Sequence, residues 1–191
     1  LIVINRTTPH QVYSNDRLWS YHKAHGYELF NNRGALAAVA ADIDADGLTE
    51  LYTVATDGEL LRWRTAADGQ VKPEGLGVPE TLEDVSRAQL ASHDVDGDGV
   101  VDLIVSSSMG WAVLAPSANG FVTLYAARAA AEALHTAHLP YIGASLAGPA
   151  MLAYSAADHG LSLWQPGPGR YQFVTLTLSG KQDDAQSMRS N

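Results

Sequence analysis

Two short segments of the sequence carry acidic residues at the same regular spacing. The carboxylates occupy the first, third, fifth and ninth positions of each segment: Asp42, Asp44, Asp46 and Glu50 in the first, and Asp94, Asp96, Asp98 and Asp102 in the second. A glycine at the sixth position permits the sharp turn that brings the carboxylates together, and the seventh residue can add its backbone carbonyl. Such a set of oxygen donors suits Ca²⁺, which accepts roughly six to eight flexible ligands, better than the strictly octahedral Mg²⁺.

Mutual repulsion gives both loops a reason to bind a cation. A close pair of carboxylates repels by ~1 to 4 kcal/mol, depending on the effective dielectric, so we expect each loop to open without a divalent ion. One alternative is a simple polar turn, since Asp and Gly are common turn residues, although a turn does not require acids at these four positions. An EF-hand is disfavoured because its loop ends in Glu at the twelfth position, where Thr53 and Val105 stand.

The two acidic loops belong to a longer repeat. The segments 50–58 and 102–110 match in order, with an acid, a leucine, a run of apolar or β-branched residues and a turn glycine. Residues 152–160 form a third copy and residues 1–9 fit a fourth. Successive copies lie roughly 50 residues apart, a period typical of solenoids and propellers. Further apolar runs and turn signals such as Asp68-Gly69 follow, as expected for hairpins.

The pattern of each full unit therefore predicts about four strands, the number found in a propeller blade. We predict an all-β fold of β-propeller-type repeats with four-stranded antiparallel blades, comprising three full units plus a partial one in an incomplete propeller. The predicted organisation is a partial blade at 1–34, blades with calcium loops at 35–86 and 87–142, a degenerate blade at 143–180, and a linker or the start of a further domain at 181–191. Ala126–His138, alanine-rich and suited to a short helix, and Leu76–Asp84 are predicted to connect blades.

Composition excludes several classes of protein. The chain has 191 residues and 46% hydrophobic content, enough to bury a core. A net charge of −9 argues against nucleic acid as a partner. The absence of cysteine excludes disulfides and thiolate zinc sites. Apolar stretches such as Ala35–Ala41 are far shorter than the ~20 residues that span a bilayer, so no membrane span is expected.

The acidic loops resemble the FG-GAP, or VCBS-type, repeats of integrin α-subunit propellers and many secreted bacterial proteins. The shared signature is Asp-x-Asp-x-Asp-Gly-x-x-(Asp/Glu)-Leu followed by an apolar strand, and the match covers roughly residues 1 to 178. The resemblance implies that the eight loop acids are side-chain ligands of two Ca²⁺ ions. It also implies that Leu48 and Val100 contribute backbone oxygens.

The C-terminal segment, from Phe173 onward, resembles the opening of the ASPIC/UnbV domain of cartilage acidic protein-like sequences.

Two departures from the repeat pattern limit the prediction. The third unit has no acid from Ala133 to Ala157, so two calcium sites are the maximum. The resemblance implies a propeller that closes with about seven blades, so we expect an open arc that needs the remaining blades of a parent chain.

No catalytic centre is predicted. The pairs His22-x-x-His25 and His135-x-x-His138 lack the spacing of a zinc-protease pair. Gly143-Ala-Ser145-Leu-Ala147 lacks the second glycine of a nucleophile elbow and falls in a predicted strand. Aromatic residues such as Trp19, Trp63 and Trp111 could stack on sugars, although packing between sheets is the commoner role.

The preferred hypothesis is a non-enzymatic, calcium-stabilised propeller segment of an exported protein, which offers a rigid surface to a protein or glycan partner. Calcium affinities of ~10⁻⁴ to 10⁻³ M suffice where calcium is plentiful, so an extracellular, periplasmic or cell-surface location is expected. Because the chain opens on Leu1 in a strand-like run, we expect the export signal to lie upstream. The alternatives are a propeller enzyme acting on carbohydrate and a calcium-responsive regulator.

Overall fold

The fold is seen in a computed structural model. It describes residues 1–127 apart from positions 6, 18, 80, 81, 86 and 119, together with the backbone of residue 128 and of three later strands, 141–145, 148–155 and 161–164. The acidic loops and the strands around them lie within this part of the chain.

Nearly all of the described secondary structure is β. The elements in chain order are β1 (Ile2–Val3), β2 (Gln11–Arg17), β3 (Ser20–Lys23), α1 (Glu28–Asn32), β4 (Ala35–Ala41), β5 (Glu50–Ala55), β6 (Leu60–Thr65), β7 (Val71–Gly75), β8 (Gln89–His93), β9 (Asp102–Ser107), β10 (Gly110–Ser117), β11 (Gly120–Arg128), β12 (Tyr141–Ser145), β13 (Gly148–Ser155) and β14 (Leu161–Trp164). The prediction of an all-β protein is confirmed.

The strands pair with their neighbours in sequence and form antiparallel sheets. The orders are β1-β2-β3, β4-β5-β6-β7, β8-β9-β10-β11 and β12-β13-β14. Two of these sheets have four strands, in the order that the repeat predicts. Within the described part of the chain no sheet closes on itself, so the propeller remains a prediction.

The central strands of the two four-stranded sheets are buried on both faces. Every residue of β5 and every residue of β9 is buried, which explains why neither strand alternates apolar and polar residues. One apolar cluster lies between the two sheets and includes Tyr52, Val54 and Leu60 from one and Leu103 and Val105 from the other. The sheets therefore pack face to face, and this packing fixes the positions of the loops at their ends.

A second cluster joins the first four-stranded sheet to the N-terminal segment. Phe30 of helix α1 is fully buried there and packs edge-on against Trp63, with 5.4 Å between ring centroids. The indole N–H of Trp63 donates to the hydroxyl of Thr53 at 2.8 Å. Trp63 and Trp111 are buried and Trp19 is exposed, so of these tryptophans only Trp19 presents its ring to solvent.

Details of the predicted organisation differ from the structure. Helix α1 was not expected, because five polar and apolar residues carry no periodic signal. The predicted connection Ala126–His138 begins inside β11, where Ala126 and Ala127 pair with Ala112 and Trp111. Strand pairing overrides the high helix propensity of alanine there. The rest of that connection lies outside the described residues.

The predicted unit boundaries fall partly on described residues. The boundary between 142 and 143 lies within β12, which begins at Tyr141. Leu76–Asp84 contains no strand among its described residues, in accord with a connecting role. The linker at 181–191 and the segment resembling an ASPIC/UnbV domain lie outside the described residues. Among the described residues, no helix is long and apolar enough to cross a membrane.

Candidate metal centres

Each acidic segment forms the loop between the first and second strands of a four-stranded sheet. The first loop, residues 42–49, joins β4 to β5, and the second, residues 94–101, joins β8 to β9. The ninth acid of each segment, Glu50 or Asp102, is the first residue of the strand that follows. Strands rather than helices flank both loops, unlike the surroundings of an EF-hand.

The structure brings three carboxylates together in each loop. Oxygens of Asp42, Asp44 and Glu50 lie within 4.8 Å of one another, and the same holds for Asp94, Asp96 and Asp102. These are the first, third and ninth positions of the predicted ligand set. The fifth residues, Asp46 and Asp98, are outside the two clusters, and each accepts a hydrogen bond from the N–H of the seventh residue, Leu48 or Val100, at 2.8 Å.

Backbone amides organise both loops in the same way. The N–H groups of Asp46 and Gly47 donate to the carboxylate of Asp42 at 3.1 and 3.0 Å. In the second loop the N–H groups of the fifth and sixth residues donate to Asp94 at the same two distances. The first acid therefore curls the backbone around itself, which turns the third and ninth acids toward it.

Two residues of each loop adopt a left-handed backbone conformation. The sixth residues Gly47 and Gly99 have φ of 86° and 87°, and a Cβ added at either would meet no atom within 4 Å. Glycine is needed there for its backbone freedom and not for space. The fourth residues differ, since Ala45 has φ 56° and Gly97 has φ 76°. The first loop thus carries a strained alanine where the second has glycine.

Both loops are anchored from below by their second residue. Ile43 is 1% exposed and lies in the cluster between the two sheets. Val95 is fully buried and packs with Ile104, Trp111 and Val113 on the other face of the second sheet. These apolar anchors hold the acids at the surface of a packed core. The ligand set predicted from the spacing does not include these two residues, although the buried side chain alternates with acids in both loops.

The ninth carboxylates are held in unfavourable surroundings for a lone negative charge. Asp102 is 1% exposed, and burial, followed by the charges of Asp96, Asp98 and Asp94, raises its pKa to about 6. A hydrogen bond from the N–H of Val95, at 2.9 Å, only partly offsets that rise. Neighbouring positive charge would relieve this cost.

Glu50 is the counterpart of Asp102 in the first loop. It is 5% exposed, and burial, followed by the charge of Asp44, raises its pKa. Its buried Oε2 has no hydrogen-bond partner among the described residues. A buried carboxylate oxygen without a hydrogen-bond donor is costly, and Glu50 belongs to a cluster of three carboxylates. The residues present therefore fit a hard cation.

Two arginines that the sequence analysis did not single out lie against the first loop. Both come from β6, where residues two apart share a face of the sheet. The Nη2 of Arg64 contacts three loop carboxylates, those of Asp44, Asp46 at 3.5 Å and Glu50 at 3.4 Å. Arg62 contacts Asp44 at 3.1 Å but also binds Glu74 at 2.6 Å.

The register of the hairpin explains why arginine reaches this loop. Leu51 pairs with Trp63 in β5–β6, so Glu50 stands opposite Arg64. In the second sheet Leu103 pairs with Leu114, so Asp102 stands opposite Ala115. Pairing outward from the Asp57-Gly58 turn could have revealed the Glu50–Arg64 contact, because the turn fixes the register.

The two loops are neighbours at one edge of the packed sheets. A surface cavity is lined by Asp42 and Ala45 from the first loop and by Asp94 and Gly99 from the second, with His93 beside them. Contacts between β4 and β8 bring the strands that lead into the loops side by side. The acidic edge is therefore one continuous feature of the surface.

Comparison with known proteins gives no family for this chain. No protein-family model matches the sequence, and no curated protein matches it. The resemblance to FG-GAP repeats thus depends on the loop signature and the repeat of the sequence, and it stays a prediction. What the fold and the candidate sites establish is an all-β protein with two clusters of three carboxylates on equivalent loops.

Proposed function

We propose that the two acidic loops bind calcium and that the ions stabilise a β-propeller segment of an exported protein. The observation that carries the proposal is the convergence of three carboxylates in each loop, with the ninth acid buried at the start of a strand. In the first loop Asp42, Asp44 and Glu50 would hold the ion, and in the second Asp94, Asp96 and Asp102 would do so. The fifth acids and the carbonyls of the seventh residues remain predicted ligands.

The electrostatic argument favours a cation over a simple polar turn. A polar turn gains nothing from burying carboxylates, and burying a charge without a partner is strongly unfavourable. Glu50 and Asp102 are nevertheless the most buried acids of the two loops. A divalent ion with oxygen ligands offsets this cost and the repulsion between the acids. Calcium would therefore act mainly on folding, by binding the native state alone.

A rigid scaffold for a protein or glycan is the role that best suits such ions. Ions bound in loops at the ends of packed strands stiffen those loops, whereas a calcium-responsive regulator needs an element with two arrangements. The described sheets pack through continuous apolar clusters, which favours the scaffold. The exposed Trp19 and the half-exposed Tyr21 are aromatic surface that a partner could contact. An extracellular, periplasmic or cell-surface location follows from the calcium concentration that weak sites need.

Thermal unfolding in calcium and in chelator tests the proposal. We expect calcium at about 1 mM to raise the melting temperature of the native protein, because sites of Kd ~10⁻⁴ M gain stability as RT ln(1 + [Ca²⁺]/Kd). Asp44→Ala and Asp96→Ala should each lose part of that rise. Magnesium at the same concentration should have a smaller effect.

The matched control is Asp68→Ala. Asp68 is an exposed acid outside the loops that pairs with Lys72 at 2.6 Å, so its loss changes the net charge equally and leaves both clusters intact. This variant should keep the full calcium response. A melting temperature that is the same in calcium and in chelator for the native protein would remove the proposed role of the ion.

A further inference from the structure

We propose that Arg64 is a tethered counter-cation of the first loop, which lowers the calcium affinity of that loop and keeps its carboxylates together when calcium is absent. This inference deepens the proposed function and depends on it. It concerns a residue of strand β6 that is no part of the predicted ligand set.

The geometry of one nitrogen carries the argument. Nη2 of Arg64 lies against Asp44, Asp46 and Glu50, three of the four acids of the first loop. Its positive charge therefore contacts two members of the carboxylate cluster, Asp44 and Glu50, together with Asp46, which lies outside the cluster. Because guanidinium and calcium seek the same oxygens, calcium must displace the arginine or bind beside a like charge.

Arg62 and Arg64 differ in their ion-pair partners outside the first loop. Arg62 is held by Glu74 through two nitrogens, Nε at 3.0 Å and Nη2 at 2.6 Å, so its charge is shared with a residue outside the loop. Among the described residues, the ion pairs of Arg64 are all with loop acids. Arg64 is therefore the arginine whose removal changes the charge of the loop most directly.

The exposure of the Arg64 side chain determines how readily calcium can displace it from the loop. The side chain of Arg64 is 40% exposed, and ion pairs that water reaches are individually weak. Arg64 can therefore move aside for a divalent ion, at a cost that appears as weaker binding. The unpartnered Oε2 of the buried Glu50 remains available to the incoming cation.

Calcium isotherms of single-loop variants test the inference. Asp96→Ala disables the second loop and leaves the first, and the additional change Arg64→Gln removes the counter-cation. We expect Arg64→Gln to lower the calcium Kd of the first loop by about tenfold or more, since a unit charge within contact distance of the ion is removed. In the Asp44→Ala background, which retains only the second loop, Arg64→Gln should leave the Kd unchanged within about twofold.

Arg33→Gln is the matched control. Arg33 is 41% exposed and pairs with Asp57 at 2.8 Å and Glu59 at 3.1 Å, beyond the opposite end of β5 from Glu50. It changes the net charge as Arg64→Gln does, without contact with either loop. We expect it to alter the calcium Kd of the first loop by less than about threefold, through long-range charge alone.

Thermal unfolding supplies a second readout. In chelator, Arg64→Gln should melt below Arg33→Gln, because the first loop has lost its counter-charge. In saturating calcium that difference should close. Simple loss of a structural contact would lower the melting temperature in both conditions and would not tighten calcium binding.

The possible failures are distinguishable. If the second loop binds calcium and Arg64→Gln matches Arg33→Gln in the first, the inference is wrong and the proposed function stands. The inference also fails if the first loop binds no calcium with either residue at position 64. If no variant of either loop binds calcium at millimolar concentration, the proposed function fails together with it.

Discussion

The two acidic loops share a sequence pattern and a backbone but differ in the strand beside them. Both gather three carboxylates within 4.8 Å and bury the ninth acid. The first faces Arg64 across the hairpin, and the position opposite Asp102 is Ala115. A ligand pattern thus determines which oxygens converge, whereas the residue paired across the sheet determines what charge they meet. A shared spacing of acids does not make the two sites equivalent.

The shared part of the comparison is the apolar anchor below each loop, and its loss should have the largest effect. Ile43→Ala removes a side chain that is 1% exposed and should cost ~2 to 5 kcal/mol of unfolding free energy. Val95→Ala removes less volume and should cost ~1 to 3 kcal/mol. For each variant, urea unfolding should show a similar loss of unfolding free energy in calcium and in chelator. A loss confined to calcium-loaded protein would mean that the anchor acts only through the ion.

In the absence of metal, neutralising the ninth acid should change the stability of the protein by different amounts in the two loops. Asp102 has a folded pKa of about 6 against an ordinary 3.8, and one pKa unit corresponds to ~1.4 kcal/mol. Because the folded pKa is raised, metal-free protein should lose ~3 kcal/mol of stability as the pH rises from about 4 to about 6. Asp102→Asn should remove that loss and be the more stable protein at pH 7 in chelator.

The equivalent change in the first loop, Glu50→Gln, should give a smaller gain, because Arg64 already offsets part of the charge of Glu50. Chemical unfolding of both variants at pH 4 and pH 7 measures the difference. In calcium, each variant should instead be less stable than the native protein, since the neutral side chain is a poorer ligand. An equal gain for the two variants would contradict the role given to Arg64.

Placing arginine beside the second loop should make it resemble the first. Ala115 is half-buried and stands opposite Asp102, so Ala115→Arg brings a guanidinium to the corresponding position. The calcium Kd of the second loop should rise by about tenfold, equivalent to ~1.4 kcal/mol. Ala115→Gln is the control for side-chain size. Equal affinities of the arginine and glutamine variants would show that charge at this position is unimportant.

Exchanging the fourth residues should have the smallest effect. Ala45 adopts φ 56°, a conformation that costs a non-glycine residue ~1 kcal/mol, and Gly97 adopts φ 76° without that cost. Ala45→Gly should stabilise the protein by ~0.5 to 1 kcal/mol, and Gly97→Ala should destabilise it by a similar amount. Thermal unfolding of both variants tests the pair. A change of the same sign in the two variants would contradict the backbone strain assigned to Ala45.

Much of the fold could be predicted from particular residues. The turn glycines Gly58 and Gly110 and the apolar runs before them placed β5 and β9, because a buried central strand needs a short apolar segment with a turn at its end. Helix α1 could not be predicted, since it is too short to carry a periodic signal and depends on burial of Phe30 against Trp63. Closure into a propeller stays a prediction.

The candidate sites divide in the same way. Local spacing predicted that all four acids of the first loop converge, and the structure brings together Asp42, Asp44 and Glu50 and leaves Asp46 outside the cluster. The approach of Arg64 required the register of a neighbouring strand, and the raised pKa of Asp102 required its burial by other elements. Spacing within a loop predicts donors, but charge and burial come from residues distant in sequence.

The most direct test follows the backbone amides of Gly47 and Gly99 by nuclear magnetic resonance during a calcium titration. Each amide donates to the first acid of its own loop, at 3.0 Å, so each reports one site in the same sample. We predict saturable shifts of both signals, with Arg64→Gln moving the Gly47 curve to lower calcium and leaving the Gly99 curve in place. Amide signals that do not move at millimolar calcium would contradict the account.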